Sequence, residues 1–377
     1  MKKKSILRNP GVQSLITSLL CVILGVIFGY IILLLINPAG ATKSMLAILR
    51  NWATSNVEAV RIRNLGNTLV KTAPLLLCSL SVLFAYKVGL FNIGASGQYA
   101  AGATAALYCA LALKWSWLPC LLMAILFGSI IGAICGTLKA YCNVSEVISG
   151  IMLNWITLYS ANMILANVKE PTSPYTYKLS GYGSQAKLPT LGLDKLFNGH
   201  DYVTMAIPLA VICAFVIWII LDKTKFGYEL KATGLNKNAA KYAGMAENRN
   251  IILTLIISGG LAGLAAASLY LSGITQWSVT ASSVPDMGFN GIAAAFLGGL
   301  NPIGAIISSY FIQNITSGGG GIDLSVYPSQ IADLISAVII YLCGFTLFFR
   351  IKLNERLDRA EEKKALKEAA ATEGGKE

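Results

Sequence analysis

The run LITSLLCVILGVIFGYIILLLI, residues 15–36, carries no charged side chain. A helix rises about 1.5 Å per residue and needs ~20 residues to cross the hydrocarbon core of a bilayer, so this run is long enough to span a membrane. The rest of the chain has the same character, because 55% of its 377 residues are hydrophobic and only 13% are charged. Soluble domains carry about 25% charged residues. The sequence therefore predicts an all-α polytopic membrane protein.

Further apolar segments follow the first one, and together they predict about ten transmembrane helices. The segments near 94–113 and 286–318 are short or interrupted by glycine. The predicted spans lie at 14–36, 65–86, 94–113, 118–140, 146–166, 202–221, 250–272, 286–300, 302–318 and 327–349.

Lysine and arginine favour the cytoplasmic side of a membrane protein, and they concentrate in three regions of this chain. These regions are the N-terminus (1–13), the loop 222–249 and the charged C-terminal tail (350–377). An even number of spans puts all three on one side, so both termini are expected in the cytoplasm and residues 14–349 form the transmembrane domain. The loop 167–201, rich in proline and glycine, then lies outside the cell.

The loop 37–64 also falls on the outer side in this topology, although it is basic. A partly helical outer element that docks an acidic group would explain its charge, and so would chance.

The chemistry of most enzymes is missing from the sequence. Its one histidine, His200, cannot build a metal site alone, and no G-x-x-x-x-G-K-[ST] motif is present to bind ATP. The net charge of +12 resides mainly at the ends of apolar runs, where it orients the chain in the membrane and does not indicate a nucleic-acid partner. We expect a chain that is not an enzyme and that has no metal or cofactor of its own.

Two interrupted segments resemble each other: GLFNIGASGQ (89–98) and MGFNGIAAAFLGG (287–299) both place Phe-Asn before glycine and small residues. They occupy corresponding positions if helices 2–5 and 7–10 form an inverted repeat. Interrupted helices at matching positions of two halves indicate a substrate pathway in transporters, although amides also simply join helices in membranes. Amides suit a neutral polar solute better than a proton relay. The candidate pathway residues are Phe91, Asn92, Ser96, Gln98, Asn154, Phe289 and Asn290.

The cytoplasmic loop contains a second candidate site, GYELKATGLNKNAAKYAGM, residues 227–245. Asn236 is a favourable N-cap and Gly244 a favourable helix stop, so a short helix is predicted between them. Such a helix is unstable alone and needs a partner surface. Its small alanines, Ala239 and Ala240, would permit close docking; the alternative is a plain loop helix.

Four stretches carry a resemblance to a known family: GLFNIGASGQ, EVISGIMLNWI (146–156), ATGLNKNAAKYAGM (232–245) and GFNGIAAAFLGG (288–299). They resemble, in order and spacing, the permeases of ATP-driven ABC importers for simple sugars and nucleosides, a group related to the branched-chain amino acid and ribose permeases. The closest likeness is to the nucleoside permeases that work with a basic-membrane-protein-type lipoprotein. The resemblance covers about residues 65–350.

This resemblance implies a multi-pass permease subunit of a bacterial plasma membrane. Its partners would be the lipid bilayer, a cytosolic ATPase that carries ATP and Mg²⁺, a second similar permease and an extracellular substrate-binding lipoprotein. The segments Phe91–Gln98 and Phe289–Asn290 would line the pathway. The pair Ser149-Gly150 departs from the family pattern and is expected to loosen the fifth span. By the same resemblance, the residues of the coupling helix that docks on the ATPase are Asn236, Ala239, Ala240, Tyr242 and Gly244.

Three functions remain open from the sequence. The first is import of nucleosides, purine nucleosides above all; the second is import of ribose- or galactose-type sugars with the same architecture. A secondary transporter driven by protons or sodium is the third, and it would need acids on the pathway. Glu146, Asp286 and Asp333 are placed near span ends, which does not favour it. A structural scaffold would leave the paired interrupted segments unexplained.

Overall fold

The computed structural model describes residues 10–168, 173–179, 183–323, 325–328, 330–345, 348–349 and 351–359. Within these ranges the chain is mostly helical, with one two-stranded antiparallel sheet. Residues 1–9 and 360–377, which contain most of both predicted cytoplasmic ends, lie outside the described residues. The helices are α1 (Pro10–Ile36), α2 (Pro38–Arg50), α3 (Glu58–Lys87), α4 (Ala95–Leu111), α5 (Trp117–Cys142), α6 (Glu146–Leu165), α7 (Leu193–Leu196), α8 (Ala206–Lys223), α9 (Lys225–Leu235), α10 (Lys237–Tyr242), α11 (Glu247–Tyr270), α12 (Asp286–Leu297), α13 (Pro302–Gly318) and α14 (Ile331–Cys343), and the strands are β1 (Thr176–Tyr177) and β2 (Trp277–Ser278).

Every predicted span coincides with one of these helices, and the all-α polytopic class is confirmed. In the described part of the chain, 6 helices are long and apolar enough to cross a membrane: α1, α3, α5, α6, α8 and α11. The helices α4, α12, α13 and α14 have 17, 12, 17 and 13 residues, short of a full span. The count of ten therefore stays a prediction.

The helices α3 and α11 form the centre of the molecule and are buried along most of their length. They pack against each other; α3 packs in addition against α8, α12 and α13, and α11 packs in addition against α4 and α5. The remaining long helices expose one apolar face each, as expected for helices that contact lipid.

Glycine makes the tightest of these contacts, between α5 and α11. A Cβ atom on Gly132 would overlap the carbonyl oxygen of Leu255, and one on Gly128 would overlap that of Gly259. Glycines spaced by four residues lie on one face of a helix, and small residues there let two membrane helices approach closely. We call this contact between α5 and α11 the seam. It can form only because glycine has no side chain at these positions.

The loop 37–64 contains α2 and is therefore partly helical, while its position outside the membrane and the role of its charge stay predictions. Its N-cap is Asn37, whose Oδ1 accepts a hydrogen bond of 3.0 Å from the backbone N–H of Ala39. At the other end, Asn51 donates from Nδ2 to the Thr68 hydroxyl over 2.9 Å and to Oδ1 of Asn314 over 3.1 Å. These bonds fasten the loop to α3 and α13.

Candidate functional site

The stretch GLFNIG breaks the chain between α3 and α4 because Gly89 ends α3. Gly89 has φ +75°, its N–H donates to the carbonyl of Tyr86, and the N–H of Leu90 donates to that of Ala85, both over 3.0 Å. This pair of bonds is the Schellman motif, which requires a left-handed residue that glycine adopts without strain. The chain then stays non-helical until Ala95.

Asn92 lies within this break and joins three helices. Its Nδ2 group approaches Oε1 of Gln98 on α4 at 2.8 Å, the Ser258 hydroxyl on α11 at 2.6 Å and the Ser81 hydroxyl on α3 at 3.3 Å. Gln98 returns a hydrogen bond of 3.2 Å to Asn92 Oδ1. Both amides are buried, with only 2% and 1% of their surfaces exposed, so the cluster is an internal polar network.

Asn154 fastens α6 to the same break. Its Oδ1 accepts a bond of 2.7 Å from the N–H of Gly97, and its Nδ2 donates to the Ile93 carbonyl over 3.1 Å. One turn earlier on α6, a Cβ atom on Gly150 would lie 2.8 Å from the backbone nitrogen of Gly94. The expectation that Ser149-Gly150 loosens this span is wrong, because α6 is continuous and Gly150 permits the close contact.

The second interrupted segment begins α12, which meets the start of α4. A Cβ atom on Gly288 would overlap the hydroxyl of Ser96, so the two chains touch there. Ser96 is fully buried, whereas Phe289 is 40% exposed and Asn290 is partly exposed. The structure thus brings the two segments together through Ser96 and Gly288. Phe91, Phe289 and Asn290 reach the surface, and the pathway role of all seven candidates stays a prediction.

The short helix predicted in the loop 222–249 forms as its sequence predicts. Asn236 caps α10 by accepting a bond of 3.0 Å from the N–H of Ala239. Gly244, at φ +78°, ends it with a second Schellman motif, in which Gly244 donates to the Lys241 carbonyl and Met245 to that of Ala240, both over 3.0 Å. The predicted cap and stop are confirmed.

The exposed face of α10 differs in one residue from the expectation. Tyr242 is 93% exposed and Ala239 is also exposed, but Ala240 is only 3% exposed. Ala240 lies on the opposite side of the helix and packs within this chain. Ala240 therefore seats α10, whereas Ala239 and Tyr242 face outward, and the coupling role of all five candidate residues stays a prediction.

The helix α9 connects α10 to the transmembrane core. The Thr233 hydroxyl accepts a bond of 2.9 Å from Asn250 Nδ2 on α11. At Gly234 a Cβ atom would overlap the carbonyl group of Val88, so the end of α9 lies directly against the turn that ends α3.

Comparison with known proteins assigns this helical architecture to a family. A profile described as "Branched-chain amino acid transport system / permease component" matches residues 64–344, well over half of the chain. The chain belongs to this permease family. No solved structure shows a significant match to it.

Several relatives of the permease have been named. It is 31% identical to the nucleoside ABC transporter permease protein NupB of Lactococcus lactis, over 97% of this chain and 98% of that protein. It is 33% identical to the guanosine ABC transporter permease protein NupP of Bacillus subtilis, over 90% of this chain and 96% of the relative. A glucose ABC transporter permease protein, TsgB13 of Haloferax volcanii, is 26% identical over 77% of this chain and 80% of its own length.

Sequence reasoning missed two polar residues at the centre of the permease, Ser81 and Ser258. Their hydroxyls are 2.9 Å apart, and Ser258 also donates to the Ser81 carbonyl over 2.7 Å. Serine is common in membrane helices and bonds readily to its own backbone, so the sequence gives little sign of a network. The Gly-Gly pair after Ser258, which lets α5 approach, is the one available signal.

An open cavity of about 480 Å³ lies between the start of α3 and the loop before α8. Arg63, Lys187 and His200 line it, together with Asp201 and Tyr202. Burial of His200, with Arg63 nearby, lowers the pKa of its imidazole below the ordinary 6.5. The ring is therefore neutral at physiological pH, and its Nε2 forms a hydrogen bond of 2.7 Å with Asn67. Among the described residues, no group of three or more His, Cys, Asp or Glu side chains could hold a metal ion.

Proposed function

We propose that the chain is the permease subunit of an ATP-driven ABC importer that moves nucleosides, in particular purine nucleosides, into the cytoplasm. The similarity to the NupB and NupP permeases over nearly the whole chain carries this proposal. The polar interior supports it, since the buried groups at the break are amides and hydroxyls, which suit a neutral polar solute.

The chain would provide the passage, while ATP and Mg²⁺ bind to a separate cytosolic ATPase. The exposed side of α10, with Tyr242 and Ala239, is the proposed docking face for that ATPase. A second homologous permease would complete the passage, and an extracellular lipoprotein would deliver the solute. The permease would lie in a bacterial plasma membrane with both termini in the cytoplasm, without nucleic acid and without a cofactor of its own.

The inverted repeat of helices 2–5 and 7–10 is part of this proposal. Two features support it: α3 packs on α12 and α13 much as α11 packs on α4 and α5, and a left-handed glycine follows each central helix, Gly89 after α3 and Gly273 after α11. Because the contact between Ser96 and Gly288 joins the two corresponding segments, the pseudo-twofold axis would then pass near it, close to the middle of the membrane.

A sugar importer of the same architecture is the second candidate, favoured by the likeness to the glucose permease. An ion-coupled transporter has less support. Glu146 forms an ion pair of 2.8 Å with Lys139 at the ends of α5 and α6, and Asp286 and Asp333 are exposed in this chain. None of the three carboxylates joins the buried network around Asn92.

Uptake of radiolabelled guanosine and adenosine by cells with and without the gene tests the proposal. We expect gene-dependent uptake that excess ribose does not suppress and that survives an ionophore while ATP is maintained. Suppression by ribose would favour the sugar importer. Collapse with the ionophore despite normal ATP would favour the secondary transporter.

A further inference from the structure

Three buried aromatic side chains form a continuous ladder from α4 to β2. The ring centroids of Tyr99 and Tyr270 are 6.1 Å apart, and those of Tyr270 and Trp277 are 5.5 Å apart, both edge-to-face. Their exposed fractions are 1%, 8% and 3%, respectively. Tyr99 lies one turn after Ser96, close to the contact between the two interrupted segments, and Tyr270 ends α11. The ladder therefore leads from that contact to the end of α11 that the proposed topology places outside.

Two polar atoms of the ladder lack a well-formed hydrogen bond. The buried hydroxyl of Tyr99 interacts with that of Tyr270 without reaching good hydrogen-bond geometry, and the buried Nε1 of Trp277 has no partner in the part of the chain that the structure describes. The hydroxyl of Ser96 is unpaired in the same way. Buried tyrosine and tryptophan normally find a partner, because leaving a donor unsatisfied is unfavourable. Apolar packing alone thus explains the rings of this ladder and leaves its polar atoms without a role.

A layer of connecting chain covers the ladder, and we call residues 173–179 and 271–281 the outer lid. In it β2 pairs with β1, so that Trp277 lies opposite Tyr177. Asn162 of α6 fixes the end of the lid by donating to the Ala281 carbonyl over 2.9 Å and accepting from its N–H over 3.1 Å. The lid is also held by a bond of 2.7 Å from the Tyr177 hydroxyl to the Leu165 carbonyl at the end of α6 and by the burial of Tyr177 and Trp277. Its opening would break these side-chain contacts and would not require a transmembrane helix to unwind.

We propose that Tyr99, Tyr270 and Trp277 form the site that recognises the planar base of a transported nucleoside. The rings supply faces on which a base can stack, and the Tyr99 hydroxyl and Trp277 Nε1 supply hydrogen bonds to the edge of that base. This inference rests on the proposed function. A base stacks its flat π-system on aromatic side chains, a contribution that a free ribose cannot make because it has no base. The site therefore selects nucleosides over ribose, after the outer lid has opened and the ring contacts have separated.

The test uses cells that carry the complete transporter with Tyr99→Phe or Trp277→Phe. Each variant keeps an aromatic ring and loses one hydrogen-bonding group. Tyr108→Phe on the same helix and Trp155→Phe on α6 are matched controls, since these side chains are 37% and 42% exposed and lie outside the ladder. Saturating uptake rates of guanosine, adenosine and uridine are measured, with the amount of permease in the membrane determined in parallel.

We expect each ladder variant to change the relative rates of the three nucleosides by about tenfold, the value of one hydrogen bond, while the controls keep the wild-type ratios. A merely structural role would lower all three rates by one common factor, and that result, or unchanged rates, would overturn the base site. Trp277 lies outside the helices. If Tyr99→Phe reduces the amount of permease in the membrane, the result with Trp277→Phe decides whether the base site exists. Absence of nucleoside uptake by the wild type would instead refute the proposed function, and the base site with it.

Discussion

Gly89 and Gly234 touch backbone to backbone. A Cβ atom on Gly89 would lie 2.9 Å from the carbonyl oxygen of Gly234, and one on Gly234 would lie 2.9 Å from the Gly89 nitrogen. Gly234 is two residues before the N-cap of α10, and Gly89 is three residues before Asn92. The proposed ATPase-docking helix and the buried polar network are therefore joined by a contact that leaves no room for a side chain. A rigid-body shift of α10 would be transmitted to the break through this contact.

Gly89→Ala tests this contact, with Gly192→Ala as its control. Both glycines have a left-handed backbone, φ +75° and +82°, but a Cβ atom on Gly192 meets nothing within 4 Å. The backbone strain of about 1–2 kcal/mol is common to both. We expect Gly89→Ala to reduce uptake strongly while ATP hydrolysis in membrane vesicles continues, and Gly192→Ala to transport normally. Equal behaviour of the two variants would show that the contact does not matter for coupling.

Ala239→Trp and Ala240→Trp should both impair the transporter, but for different reasons. Ala239 is exposed on α10, so its replacement is expected to block docking of the ATPase while this chain remains folded. Ala240 is buried, so a bulky side chain there should displace α10 and lower the thermal stability of the permease itself, by ~1–3 kcal/mol for overpacking. Co-purification of the ATPase and thermal unfolding of the isolated permease separate the two effects. Normal assembly of Ala239→Trp would refute the docking face.

Asn92→Leu should stop transport without loss of assembly. The change leaves the Gln98 amide without its partner in a buried site, at a cost of about 1–3 kcal/mol for an unsatisfied group, whereas Ser258 keeps its bonds to Ser81. Ser258→Ala removes one hydroxyl and keeps the amide pair, so it should be the milder change. Uptake and ATPase co-purification are measured for both. Loss of assembly in Asn92→Leu would indicate a structural role in place of a pathway role.

Gly132→Leu should separate α5 from α11. The side chain would overlap the Leu255 carbonyl, and overpacking of this kind costs about 1–3 kcal/mol or more where backbone must move. Gly320→Leu is the control, because a Cβ atom there meets nothing within 4 Å. Thermal unfolding in detergent should show a lower midpoint for Gly132→Leu alone. An unchanged midpoint would mean that the seam does not limit stability.

Acidification should weaken the loop around His200. Burial and the nearby Arg63 lower its folded-state pKa below 6.5, with Lys187 acting in the same direction and Asp201 opposing it. The unfolded chain therefore binds the proton first, so the stabilisation is fully present above pH 6.5 and is lost as the pH falls through the lowered pKa. Thermal unfolding between about pH 5 and 8 should become less pH-dependent in His200→Gln. An identical pH profile of thermal stability in the variant would show that His200 is not the source of the pH dependence.

Local features of the sequence were sufficient to predict the class and most helix positions. The apolar run 15–36 predicts a span because length and hydrophobicity alone decide whether a helix crosses a bilayer. Asn236 and Gly244 predict the ends of α10 because caps act within a few residues of themselves. The break after α3 could be predicted for the same reason. A glycine such as Gly89 can end a helix whatever that helix packs against.

The tertiary structure decided which side chains meet. The sequence places Ala239 and Ala240 equally well for docking, and only packing of α10 against the core shows that Ala240 faces inward. Ser258 and Asn92 are 166 residues apart, and Trp277 reaches Tyr270 through a turn that no periodicity predicts. Such contacts depend on how helices are arranged around α3 and α11. The hydrophobic pattern of the sequence determines which segments lie in the membrane. The packing of helices that are far apart in the sequence determines which side chains contact each other there.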